Sequence, residues 1–207
     1  MCILWLVNRV VRRLPFILTT IRLLLAPVLL WIVRDGTAGI PYVLCILAAF
    51  VSDIYDGVIA RKLDIASGRL RSYDSRTDLI FYVTAAITVW LVHPEEIRRL
   101  APLLIVLLLF ELVRPAFDIF KYGKQSSYHS YSAKTFGVSL VVALILLMGF
   151  GIGGIFLTVA IILGIIADIE GLVMSLMLPV WTHDVKSLFD AWRIRTGSAL
   201  ATQNQPL

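Results

Sequence analysis

Six apolar runs, each long enough to cross a bilayer, leave this chain few ways to fold. They lie at about 15 to 34, 38 to 62, 73 to 93, 98 to 120, 134 to 150 and 153 to 178, and a spanning helix needs about 20 predominantly apolar residues. A backbone in hydrocarbon must satisfy its own hydrogen bonds, so such runs become helices. With 59% hydrophobic residues and a mean hydropathy of +0.87, the composition lies well outside that of soluble domains, where apolar residues make up about 45–50%. The predicted fold class is therefore an all-α integral membrane protein with six transmembrane helices. Its 207 residues leave no room for a sizeable water-soluble domain.

Short polar segments separate the runs: Arg34-Asp35-Gly36, a charged linker at 61 to 72, His93 to Glu96, a Tyr/Ser-rich stretch at 122 to 133, and a Gly-rich hinge from Gly149 to Gly154. Ahead of the first run, Ile3 to Val7 is too short for a signal peptide core, and Arg9, Arg12 and Arg13 follow it instead of preceding it. That order predicts an amphipathic helix on the membrane surface. The expected organisation is a juxtamembrane helix over 1–14, a six-span domain over 15–178, and an interfacial helix with a flexible tail over 179–207. In the last of these, Val185, Leu188, Phe189 and Trp192 are expected to share one face of a helix from Trp181 to Arg195, with His183 exposed near its start. Cys2 and Cys45 have neither paired nor metal-ligand spacing and read as small apolar residues.

The basic residues orient this topology. With the N-terminus inside, the cytoplasmic segments hold Arg9, Arg12, Arg13, Arg61, Lys62, Arg69, Arg71, Arg76, Lys121, Lys124, Lys134, Lys186, Arg193 and Arg195, against Arg34, Arg98 and Arg99 outside. The positive-inside rule then places both termini in the cytoplasm. The net charge of +5 is a topology and anionic-lipid signal, and calls for no nucleic-acid partner.

Within this apolar chain, two pairs of aspartates stand out: Asp53-x-x-Asp56-Gly57-x-x-Ala60-Arg61, then Asp74-x-x-x-Asp78. A carboxylate at membrane depth costs about 2.5–3.5 kcal/mol on insertion scales and nearly always marks a function. On a helix Asp53, Asp56, Gly57 and Ala60 fall on one stripe, and Asp74 and Asp78 share a face of the next span. The intervening linker is long enough to bring the two acidic faces together at the cytoplasmic end. Oxygen ligands without Cys or His suit Mg²⁺ or Mn²⁺. Four carboxylates can hold two such ions, an arrangement that stabilises the attacking and leaving oxygens of phosphoryl transfer.

The segment from Asp53 to Asp78 resembles the signature of the CDP-alcohol phosphotransferases (CDP-alcohol phosphatidyltransferases). Asp53, Asp56, Gly57, Ala60, Arg61, Asp74 and Asp78 all fit it at the right spacing, and Pro15 to Pro27 resembles the family's first span. Two positions depart from the pattern: Leu70 stands where the family has glycine, with Gly68 displaced by two residues, and Phe16 stands where asparagine is common. Both set the chain apart from a standard phosphatidylglycerolphosphate synthase. The resemblance implies that Asp53, Asp56, Asp74 and Asp78 bind two divalent cations, with Asp78 also acting as general base on an acceptor hydroxyl. It further implies CDP contacts from Asp56, Gly57, Ala60, Arg61, Ser67 and Asp74. The donor would be a CDP-linked lipid, the acceptor a small alcohol, the product released CMP, and the assembly a homodimer. A bacterial inner membrane is the expected location, with the active site facing the cytoplasm. Two other readings stay open: transfer from a soluble CDP-alcohol to a lipid acceptor, and a transporter that uses the acids as a cation site.

Several charged residues admit two roles. Arg114 either pairs with Glu111 one turn earlier or, with Lys134, binds an anionic acceptor such as a phosphate. Asp64 reads as solvated, and Lys121, Lys124 and His129 as surface charges. Tyr122, Tyr128 and Tyr131 fit an interfacial aromatic belt, favoured over a mobile lid. Asp168 or Glu170, deep in the last span, is expected to pair with Arg22 in the first.

Overall fold

The computed structural model describes residues 13–63, 68–126, 128, 130–182 and 185–203, and the side chains of all of these but 61, 68, 69, 71, 72 and 198–203. The expected surface helix before Leu14 lies outside the described residues, as do Asp64, Ser67, His129, His183 and the side chain of Arg61. What is described is helical: α1 (Leu14–Ile32), α2 (Ile40–Lys62), α3 (Gly68–Val92), α4 (Pro94–Tyr122), α5 (Tyr131–Leu144), α6 (Ile155–Met177) and α7 (Leu188–Gln203). A 3₁₀ turn, Val33–Asp35, extends α1, and a π-turn, Ile145–Gly149, extends α5. Among the described residues six helices are long and apolar enough to cross a membrane. They match the six apolar runs. The fold is that of an all-α integral membrane protein.

Helix ends differ from the apolar boundaries where local chemistry extends them. α3 begins at Gly68, before the first apolar residues of its span, so the charged linker is shorter than its composition implies. α4 starts at Pro94, with Glu95 and Glu96 in its first turn. Proline suits the first helical position, and acids there favour the positive end of the helix dipole. Ser130 caps α5, its Oγ accepting from the Ala133 N–H at 3.2 Å. Ser187 does the same for α7, accepting from the Asp190 N–H at 3.2 Å. At the other end of α1, Gly36 takes the left-handed conformation (φ 75°) that lets its N–H reach the Val33 carbonyl at 2.9 Å.

The chain packs as two units. The first comprises α1, α2, α3, the start of α4 and the π-turn. In it α1 packs on both α2 and α3, and the π-turn lies against α2. Gly149 is needed there, since a Cβ would stand 2.4 Å from Val43 Cγ2. Between α2 and α3 the buried Tyr42 hydroxyl meets Thr88 Oγ1 at 2.8 Å, so these two buried hydroxyls satisfy one another. Leu24, Trp31, Leu44, Leu79 and Trp90 are exposed on these helices, as side chains bathed in lipid should be.

The second unit holds the rest of α4, α5, α6 and α7. Its core gathers Tyr128, Met174, Leu178, Val185 and Ala191, with Ile194 packed against them. Lys121, exposed as expected, and the half-buried Tyr122 also hold a helix end. They cap the end of α6: Lys121 Nζ donates to the carbonyls of Ser175 (2.7 Å) and Leu178 (2.8 Å), and the Tyr122 hydroxyl reaches the same two at 2.7 and 2.9 Å. A cation on those orphan carbonyls also complements the negative end of the helix dipole. Tyr128 is buried rather than interfacial, and Lys124 lies 3.5 Å over the Trp181 ring. α7 runs on to Gln203, beyond the expected end at Arg195. Val185 turns into the core, while Leu188, Phe189 and Trp192 stay exposed.

Candidate active site

The first unit brings the four aspartates together. Asp53 and Asp56 come from one stripe of α2, and Asp74 and Asp78 from the first half of α3, just after its polar start. Asp56 is buried, whereas Asp53, Asp74 and Asp78 are partly exposed. Asp53, Asp56 and Asp74 each offer a carboxylate oxygen, all within 4.8 Å of one another. Asp78 joins them through a residue of α1.

That residue is Arg22. Its Nη1 donates to Asp53 Oδ1 at 2.8 Å and to Asp78 Oδ1, and its Nη2 donates to Asp74 Oδ1 at 3.1 Å and to Asp56 Oδ2. One guanidinium, only 2% exposed, thus meets four carboxylates. The expected pairing of Arg22 with Asp168 or Glu170 is corrected: a buried charge goes to the largest opposite charge within reach, and for Arg22 that is this cluster. Thr19, one turn before Arg22 on the same face of α1, sits 3.1 Å from Asp56 Oδ2 and 3.0 Å from the Pro15 carbonyl. Its single proton serves one of these acceptors at a time. Thr20 meets the hydroxyl of Tyr73 at 3.2 Å, and Tyr73 stacks on Phe16 with ring centroids 4.6 Å apart. Phe16, the departure from the family's asparagine, therefore packs beside the residue that precedes Asp74.

Neither Arg22 nor Thr19 stood out as a site residue in the sequence. A signal was nonetheless there, because an arginine in an apolar span must face acid, and four uncompensated acids lay in the next two spans.

The donor set fits a hard divalent cation. Its ligands are carboxylate oxygens, with no Cys or His among the three grouped acids. Around Mg²⁺, with Mg–O about 2.1 Å, adjacent ligand oxygens stand about 3.0 Å apart and opposite ones about 4.2 Å. Oxygens within 4.8 Å of one another reach that range by side-chain rotation, without movement of the helices. Of the remaining residues carried by the resemblance, Gly57 and Ala60 continue the Asp53/Asp56 stripe on α2, with Ala60 buried. Leu70 is partly buried in the first turn of α3.

This is the arrangement of acids that the sequence signature called for, and the chain's similarity to a known family rests on the same helices. The model of the CDP-alcohol phosphatidyltransferase family matches residues 12–166. The chain belongs to the CDP-alcohol phosphatidyltransferase family. The matched segment takes in α1 to α5 and the first half of α6, and so includes all four aspartates and Arg22. Neither the curated proteins nor the solved structures contain a match. A CDP-alcohol phosphatidyltransferase is a membrane transferase of phospholipid biosynthesis that takes a CDP-alcohol donor and an alcohol acceptor, and the family is generally dependent on divalent cations.

The second unit of this phosphatidyltransferase holds its other charged residues. Arg114 does not pair with Glu111; its Nη1 lies 3.8 Å from Asp168 Oδ1. Arg114 lies against Gly171, where a Cβ would come within 2.9 Å of its Cδ and 3.0 Å of its Nη1. Ser132 donates to Glu170. Asp168 Oδ2 is buried without a hydrogen-bond partner. Lys134 lies 5.7 Å over the ring of Tyr131, one turn earlier on α5.

Proposed function

We propose that this phosphatidyltransferase moves a phosphatidyl-type group from CDP-diacylglycerol to the hydroxyl of a small phosphorylated alcohol and releases CMP. The observation that carries the reading is the convergence of Asp53, Asp56, Asp74 and Asp78 on one point, in a chain of this family. Two Mg²⁺ or Mn²⁺ ions held by those four acids would supply charge neutralisation for the donor diphosphate and the departing CMP. Asp78 would accept the acceptor's hydroxyl proton as its oxygen attacks the phosphorus that carries the lipid; that O–P bond forms while the P–O bond to CMP breaks. Gly57 and Ala60 lack bulk beyond a methyl, which lets a nucleotide approach the α2 backbone closely. Arg61 would offer a fork to the diphosphate, with Ser67 at the nucleotide.

The acceptor is assigned a phosphate because Arg114 and Lys134 bring positive charge to the second unit, and the Arg114–Asp168 pair, at 3.8 Å, is longer than a hydrogen bond. The guanidinium is thus oriented by a carboxylate that does not engage it closely. The positive-inside count supports a site at the cytoplasmic face, and family analogy supports a homodimer. The test supplies purified protein with CDP-diacylglycerol, Mg²⁺ or Mn²⁺ and a panel of alcohols, and measures CMP release. CMP should appear only with metal and a phosphorylated acceptor. Release from a soluble CDP-alcohol with diacylglycerol as acceptor, and none from CDP-diacylglycerol, would reverse the donor assignment.

A further inference from the structure

We infer that Arg22 is the resident cation of the aspartate cluster, holding the four carboxylates in the metal-free enzyme and giving them up when divalent cations bind. The inference rests on the reading of Asp53, Asp56, Asp74 and Asp78 as metal ligands. Three observations carry it. Both Nη atoms of Arg22 contact the very oxygens that a cation would need, Oδ1 of Asp53, Asp74 and Asp78 and Oδ2 of Asp56. Among the described side chains, one guanidinium against four carboxylates leaves the cluster three negative charges in excess, so Arg22 holds the acids without neutralising them. Its Nε, meanwhile, is buried with no hydrogen-bond partner. A permanently fixed buried arginine would ordinarily have that donor satisfied.

Arg22 and the metal ions then exclude one another from the same oxygens. The acids are competent for metal only in the fraction of molecules whose guanidinium has left, and apparent metal affinity falls by that fraction. By linkage, Arg22 stabilises the metal-free protein and contributes little to the loaded one. Once released, the guanidinium is a planar fork suited to phosphate oxygens, in a site built for a diphosphate.

The test compares wild type, Arg22→Lys and Arg22→Gln in detergent, by Mn²⁺ titration calorimetry and by Tm in chelator and in saturating Mn²⁺. Lysine keeps the charge but cannot span four carboxylates, which separates occupancy of the oxygens from simple electrostatics. Arg22→Lys should bind Mn²⁺ about tenfold more tightly than wild type. Both variants should lose Tm in chelator and match wild type in Mn²⁺. A variant too unstable to keep in chelator can be purified in Mn²⁺, where a Tm equal to that of wild type supports the inference and a lowered one overturns it. Unchanged Mn²⁺ affinity in Arg22→Lys, or an equal fall in Tm with and without metal, also overturns it. If wild type itself binds no Mn²⁺, the metal-ligand reading fails and takes this inference with it.

Discussion

Gly171→Ala is the most direct probe of the acceptor assignment. The new Cβ would stand 2.9 Å from Arg114 Cδ and 3.0 Å from its Nη1. Carbon atoms settle at about 3.5–4.0 Å, so the side chain must withdraw by roughly 0.5 Å or more. It can do so by rotating, because its methylenes are flexible. Starting from 3.8 Å, a retreat of that size changes the attraction to Asp168 by only about 0.5 kcal/mol at an effective dielectric of about 20. The fold should therefore tolerate the substitution, with a stability change below about 1 kcal/mol. A charge-assisted hydrogen bond to a phosphate is worth about 1.5–3 kcal/mol and depends steeply on alignment. Its loss should raise the acceptor KM by at least about tenfold. The assay is initial-rate CMP release with each substrate varied in turn, alongside Tm in detergent. The donor KM should stay within about twofold of wild type. A well-folded Gly171→Ala enzyme with an unchanged acceptor KM, or one whose two KM values rise together, would refute the role given to Arg114.

Asp74→Asn should abolish CMP release in a protein that still folds, and chelation should do the same to wild type with recovery on adding Mg²⁺; full activity in the variant would sink the two-ion site. Lys134→Ala should raise the acceptor KM with donor binding nearly intact, and a neutral alcohol outcompeting every phosphorylated one would make Arg114 and Lys134 structural. Leu70→Gly should alter donor affinity, read as KM for CDP-diacylglycerol, and leave the Mn²⁺ titration unchanged. An unaltered donor KM there would assign the close approach to Gly68 instead.

What the chain could say by itself was whatever depends on local order along it. Six apolar runs in a bilayer must become helices, since no other open structure satisfies the backbone there, and the structure has its six long helices where those runs lie. The family signature was equally local: the spacing of Asp53, Asp56, Asp74 and Asp78 settles which faces of two consecutive helices carry acid. The helices α3 and α4 themselves begin before the apolar edges of their spans, because helices continue past the end of their greasy segment.

Pairing between distant residues was a different matter. Arg22 had Asp168, Glu170 and four aspartates as conceivable partners, and only the packing of α1 on α2 and α3 decided among them. Arg114 likewise took Asp168, 54 positions away, over Glu111 one turn away, and Lys121, exposed as a surface charge should be, also caps α6. A charge in a low-dielectric interior is committed by which helices happen to touch, and hydropathy carries no record of that. Tertiary packing made an arginine of the first span part of the acid cluster, and with it the site acquired a cation of its own.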